Sequence, residues 1–178
     1  MAEFKQGVLT AQGAALLAKA QSGQANIRFT KFQLGCGEWD IETAALMQAT
    51  ELKDVRAEHE ITRVSYVNDA TTLLTLEASN TDNDSGYYIT EVGVFARDGA
   101  KEILYAIYVT QKDRADWFPA YNSITPSSIT YTCPISVANA KEISISVNGD
   151  STGGGGTPTE IDWLNVVDGK ICVTYKED

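Results

Sequence analysis

Asn80, Asp82, Asp84 and Glu91 carry the spacing that most invites a chemical reading. Alternating oxygen-bearing side chains followed by a carboxylate at the twelfth position suit a hard cation such as calcium. Three features favour an ordinary polar β-turn instead. The first position is Asn80 rather than Asp, the sixth is Ser85 where a sharp turn calls for glycine, and both flanks look like strands rather than helices. Glu91 itself sits among Tyr87, Tyr88, Ile89, Val92, Val94 and Phe95. General acid catalysis there would need a second carboxylate or a base close by, and the chain offers none in sequence. The reading for Glu91 is therefore structural: a carboxylate held by an arginine or by backbone amides within a sheet.

Nucleophilic and metal chemistry are poorly supplied. Cys36, Cys133 and Cys172 form no CxxC pair, and an odd count without an export signal points to reduced thiols. His59 is the only histidine, so a Cys133–His59 pair would rest on the fold alone. The glycine run 153–156 is not followed by Gly-Lys-Ser/Thr and is no phosphate loop. Trp39, Trp117, Phe118 and Tyr121 fall in expected loops, where they serve as packing or interface anchors or as a platform for a sugar ring. No metal, cofactor or catalytic residue is assigned.

Charge narrows the function classes further. Fourteen Lys and Arg against 24 Asp and Glu give a net charge of −10 over 178 residues. An acidic chain without a basic run is repelled by phosphate backbones and by anionic membrane surfaces, which speaks against nucleic-acid partners. No apolar run approaches the roughly eighteen residues of a membrane span, and the opening residues lack the order of a signal peptide. With 43% hydrophobic and 21% charged residues the chain can bury a core.

The elements that must position these groups are mainly β, in an α+β arrangement. Thr10 is placed to cap a helix over 11–21, whose Ala14, Leu17, Ala18 and Gln21 share one face and whose end is marked by Ser22-Gly23. Residues 27–34 look extended, with Phe29, Phe32 and Leu34 as core contributors, and Gly35-Cys36-Gly37 breaks the strand. A short helix is expected over 42–49. Strands follow at 61–67, 71–78, 87–96, 103–110, 128–137 and 142–147, separated by turn material and by a long loop at 111–126. Short strands at this spacing point to an antiparallel β-sandwich with the helix packed on it. The expected organisation is a domain over 1–150, a Gly-rich linker over 151–159, and a hairpin segment over 160–178 turning at Asp168-Gly169. An isolated hairpin is marginal in water, so Trp163, Leu164, Val166, Val167, Ile171 and Val173 need a partner surface.

Several segments, taken in order, resemble the N-terminal domain of phage tail-collar fibre proteins. Phe4, Thr10 and Gly13 look like the family's opening, and the strand ending in Gly35-Cys36-Gly37 is similar to its Gly-Asp-Gly turn, with Cys36 in place of the Asp. Residues 52–64 look like the segment entering the sheet. The run from Gly86 through Glu91 and Gly93 to Asp98 is similar to the family's Gly-Phe, Arg-Glu, Gly-Leu run. Thr90 stands where the family has arginine, so Arg63 or Arg97 would have to serve as the partner of Glu91.

The resemblance covers about residues 1–150 and implies a structural, non-enzymatic homotrimer. It implies joining of a fibre to the baseplate of a contractile-tailed phage or related injection particle, assembled in the bacterial cytoplasm for host attachment. Thr10, Gly13, Gly35, Gly37, Gly86, Glu91 and Gly93 are the structural-motif positions it marks. Family members continue into a long shaft, whereas here a linker and hairpin follow, so the expected role is that of an adaptor or stub fibre. The alternative is a carbohydrate-binding module using Trp117, Phe118 and Tyr121 on a host-surface glycan.

Overall fold

The structure is a computed structural model that describes residues 4, 7–40, 43–68, 71–137, 143–145, 164–167 and 170–173. The chain divides into two units, Met1–Asn148 and Gly149–Asp178. In the first, β1 (Val8–Leu9) leads into α1 (Ala11–Gln21), β2 (Ile27–Gly35), α2 (Thr43–Met47), β3 (Val55–His59), β4 (Ile61–Asn68) and β5 (Thr71–Ser79). There follow β6 (Tyr87–Ile89), β7 (Glu91–Asp98), β8 (Lys101–Val109), a 3₁₀ turn (Lys112–Arg114), β9 (Asp116–Phe118), β10 (Ser128–Ser136) and β11 (Ile143–Ile145). The second unit holds β12 (Leu164–Val167) and β13 (Lys170–Val173), an antiparallel pair with Leu164 opposite Val173. The glycine-rich segment expected to be a linker lies outside the described residues.

The chain is mainly β and antiparallel, as its short Thr-, Ile-, Val- and Tyr-rich runs lead one to expect. A six-stranded sheet has the order β1-β8-β7-β2-β11, with β3 also on β2, and a three-stranded sheet has the order β10-β5-β4. β11 departs from the antiparallel expectation: it runs parallel to β2, with Ile143 beside Ile27. Its short contact follows the return of the chain from β10, which makes it the partner of a strand laid down more than a hundred residues earlier.

The main core gathers Ile27, Phe29, Phe32 and Leu34 of β2 with Leu74 and Leu76 of β5, Val92 and Val94 of β7, and Cys133 and Ile135 of β10. Alternation along β7 turns Phe95 the other way, into a second cluster with Leu104, Ile107, Leu46 and Leu52. A bulge between Val94 and Phe95 shifts the register, leaving Tyr105 and Ala106 of β8 consecutive in the main core. Two β8 tyrosines then tie the sheets together. The Tyr105 hydroxyl donates to Ser136 O at 2.9 Å, and the Tyr108 hydroxyl donates to Pro134 O at 2.7 Å.

α1 corrects the expected face. Gly13, Leu16, Leu17 and Ala20 are buried, whereas Ala14, Ala18 and Gln21 are exposed. The reason is steric: a Cβ at Gly13 would lie 2.1 Å from Tyr105 O, so the helix lays its glycine, not Ala14, directly on the β8 backbone. The Thr10 hydroxyl accepts from Gly13 N at 3.0 Å and donates to Leu104 O, capping the helix and anchoring it to β8 in one step. No helix among the described residues is long and apolar enough to cross a membrane.

Candidate functional site

The run 87–96 is not one strand. Thr90 interrupts it: its N–H bonds Gly35 O at 3.0 Å and its hydroxyl donates to Gly37 O at 2.8 Å. β6 thereby leaves the large sheet to pair with β9, and Glu91 begins β7 opposite Gly35 of β2. The side chain of Glu91 is completely buried.

Four N–H groups converge on that carboxylate. Oε1 accepts from the backbone of Gly37 at 3.0 Å and of Asp54 at 2.8 Å. Oε2 accepts from Lys53 N at 3.0 Å and from the indole Nε1 of Trp39. Each oxygen is used twice, which meets the requirement that a buried carboxylate be hydrogen-bonded on all sides. The expected arginine is absent from this set. Arg97 stands at the far end of β7, opposite Glu102, and Arg63 is on β4 opposite Thr75. Backbone amides take the place of the guanidinium.

The clamp joins β7 to two loops, the turn after β2 and the segment before β3. It dictates glycine at two positions, since a Cβ at Gly35 would lie 2.4 Å from Glu91 Oε1 and one at Gly37 would lie 2.6 Å from the same atom. Cys36, between them, is polar in its contacts. Its thiol donates to Asp54 Oδ2 at 3.0 Å and accepts from Arg56 Nε at 3.0 Å. Burial, then the Asp54 carboxylate, pushes the thiol up, while the bonds from Cys36 and Arg56 hold the Asp54 carboxyl below its ordinary value. Lys53 closes the outside, donating to Glu38 O at 2.7 Å with its ammonium 4.6 Å from the centre of the Trp39 ring.

The remaining motif glycines also mark close approaches. Gly86 lies under the Trp117 ring, where a Cβ would meet Cζ2 at 2.4 Å, and a Cβ at Gly93 would meet the side chains of Leu104 and Leu52 at 2.9 and 3.0 Å. Thr10 and Gly13 form the helix anchor on β8.

The cation reading of residues 80–91 does not survive the geometry. Asn80 Oδ1 accepts from Ser127 N at 2.7 Å while its Nδ2 donates to Pro119 O and Ala120 O, so Asn80 staples two loops together. Glu91 points into the clamp, away from any shared ligand set with Asn80. Among the described residues no three His, Cys, Asp or Glu side chains gather as a metal site. Cys133 lies in the main core, its thiol pushed up to about 12 by burial, the opposite of an activated nucleophile. His59 packs its ring on Phe32 instead.

The aromatic platform is also redrawn. Trp117 and Phe118 belong to β9, not to a loop, and their alternation sends Phe118 into the core against Tyr87 while Trp117 stays exposed. Tyr88, which sequence reasoning did not single out for this role, is the neighbour of Trp117, with ring centroids 4.9 Å apart. The two are opposite each other in the β6–β9 register, a pairing that no local pattern foretells. Trp39 is committed to Glu91. Of the hairpin residues, Leu164, Val166 and Val167 lie on β12 and Ile171 and Val173 on β13, while Trp163 lies outside the described residues.

The model of the phage tail-collar fibre protein N-terminal family matches residues 1–166. The chain belongs to this family. Tail-collar fibre proteins are structural, so the chain is a structural component of a phage tail. The resemblance read from Gly35, Gly37, Gly86, Glu91 and Gly93 thus identified the family correctly, and the match extends beyond the 150 residues expected. Comparison with curated proteins and with solved structures finds no match.

Proposed function

We propose that this tail-collar fibre chain is the attachment piece of a contractile phage tail or phage-derived injection particle. It links a fibre or adaptor to the baseplate so that the particle can engage its host. The protein works as a homotrimer without catalysing a reaction, and it is assembled in the bacterial cytoplasm before entering the particle. Its apolar and loop surfaces are buried against neighbouring tail subunits. The hairpin carrying Trp163, Leu164, Val166, Val167, Ile171 and Val173 serves as the trimer's terminal plug or as a docking tag. Three tethered copies raise the local concentration of such strands, which makes pairing of individually marginal hairpins favourable.

The observation that supports this reading is the family match over residues 1–166. The chemistry of the fully buried Glu91 carboxylate agrees with it, because all four of its hydrogen bonds serve to hold loops in place and leave no oxygen for a substrate. The test is deletion of residues 151–178 from the full chain, read by light scattering and by incorporation into tail particles. Loss of the trimer mass or of incorporation is the expected result. A trimer that still enters particles would remove the hairpin's role, and a full-length chain that is monomeric at micromolar concentration would remove the trimer.

A further inference from the structure

We propose that the cleft between Trp117, Lys112 and Glu38 is a binding subsite for one ring of a neutral saccharide, a function separate from attachment to the tail.

The wall of the cleft is aromatic and preset. Six large apolar residues are well exposed among those described, and the two aromatic ones, Trp117 (54% exposed) and Tyr88 (38%), touch each other. Trp117 is fixed from below by the Gly86 backbone and from the side by Tyr88, so its outer surface is presented with little freedom left to lose on binding. A rigid tryptophan with an open face is the form that stacks on the apolar face of a ring.

The rim decides the ligand class. Gly86, Tyr88, Thr90, Cys36, Glu38 and Lys112 line the cleft together with Trp117, around a volume of about 260 Å³. That is below the roughly 300–1,000 Å³ of pockets for drug-sized molecules, and it suits a single ring. Lys112 holds its ammonium 5.6 Å from the Tyr88 ring centre, and among the described residues neither Lys112 nor Glu38 has an ion-pair partner. A cation and a carboxylate on one rim cancel any preference for a ligand of either charge, and the chain's net charge of −10 repels anions. Paired hydroxyls satisfy both groups, accepting from the ammonium and donating to the carboxylate, while the C–H face of the same ring lies on the indole. A purely apolar protein side chain would use the wall and leave both charges desolvated without partners.

The experiment is saturation-transfer NMR and array binding of the full chain against neutral glucose-, galactose- and N-acetylglucosamine-based oligosaccharides, with sialylated ones beside them. Binding of a neutral saccharide is expected, weakened about tenfold or more in Trp117→Ala with an unchanged melting temperature. Should Trp117→Ala fail to fold, Glu38→Gln and Lys112→Met, both at exposed positions, are each expected to weaken binding several-fold. Failure of every neutral saccharide to bind, equal binding by all three variants, or binding of sialylated ligands alone would overturn the proposal. So would loss of capture of a purified tail protein in Trp117→Ala without any saccharide binding, which would assign the cleft to a protein side chain. The saccharide results do not bear on tail attachment, which is tested separately by particle incorporation.

Discussion

Gly37 and Glu91 meet through a contact that glycine alone allows: the Gly37 N–H stands 3.0 Å from Glu91 Oε1, and a Cβ at position 37 would stand 2.6 Å from that oxygen. The bond closes the turn after β2 onto the first residue of β7. Together with Asp54, Lys53 and Trp39 it makes one carboxylate the junction of three chain segments.

Glu91→Ala therefore leaves four donors without an acceptor in a buried place. We expect a loss of about 3–5 kcal/mol, seen as a fall in melting temperature of roughly 10 °C. Glu91→Gln is expected to destabilise as well, because its amide NH₂ faces two of the N–H donors. Chemical denaturation of the two variants checks this, and a stability equal to that of the parent in both would refute the clamp.

Gly13 and Gly99 separate two uses of glycine. At Gly13 the obstacle is the Tyr105 carbonyl, which is backbone and cannot move aside, so Gly13→Ala should displace α1 from β8 and cost several times more than Gly99→Ala. Gly99 has φ +63° with nothing within 4 Å of a Cβ, so alanine there carries only left-handed strain of about 1–2 kcal/mol. Thermal melts of both variants, with the helical signal followed separately, test the ranking.

Much of this was legible in sequence because it is local. The Thr10 cap, the strand at 27–34 and the apolar run around Glu91 are written in neighbouring residues, and so is the polar turn after Asn80. The partners of Glu91 are not, since the donors lie 37 to 54 positions away and three of the four are backbone amides, which carry no side-chain signature. β3 carries no local strand signal because Val-Arg-Ala-Glu-His mixes charge into a strand of which only Ala57 and His59 are half-buried, and β9 carries none because its three residues form a strand only by pairing with β6. The face of α1 was misjudged for a related reason: a glycine selected by close approach outweighed the hydrophobic pattern.

Acid should weaken one surface device. Lys31 bridges Glu58 at 2.9 Å and Glu102 at 2.8 Å beside the Phe95 ring. Burial pushes both carboxyls up, but hydrogen bonds from Gln33 and Lys31 to Glu58, and from Lys31 and Thr30 to Glu102, outweigh it and hold both below 4.5. Their folded values being depressed, the stability they add is present above pH 4.5 and is lost as pH falls through the folded values. The effect is modest because all three groups are partly exposed. Melting temperature followed from about pH 6 to about pH 3 should fall less steeply in Lys31→Met than in the parent. Parallel curves would contradict the bridge.

The most direct test of tail attachment is cryo-electron microscopy of particles assembled with and without this chain. With it, density for the β-rich unit is expected at the junction of fibre and baseplate, and without it particles should lose their fibres and their adsorption to host cells. Particles that lack the chain yet carry fibres and adsorb normally would contradict the account.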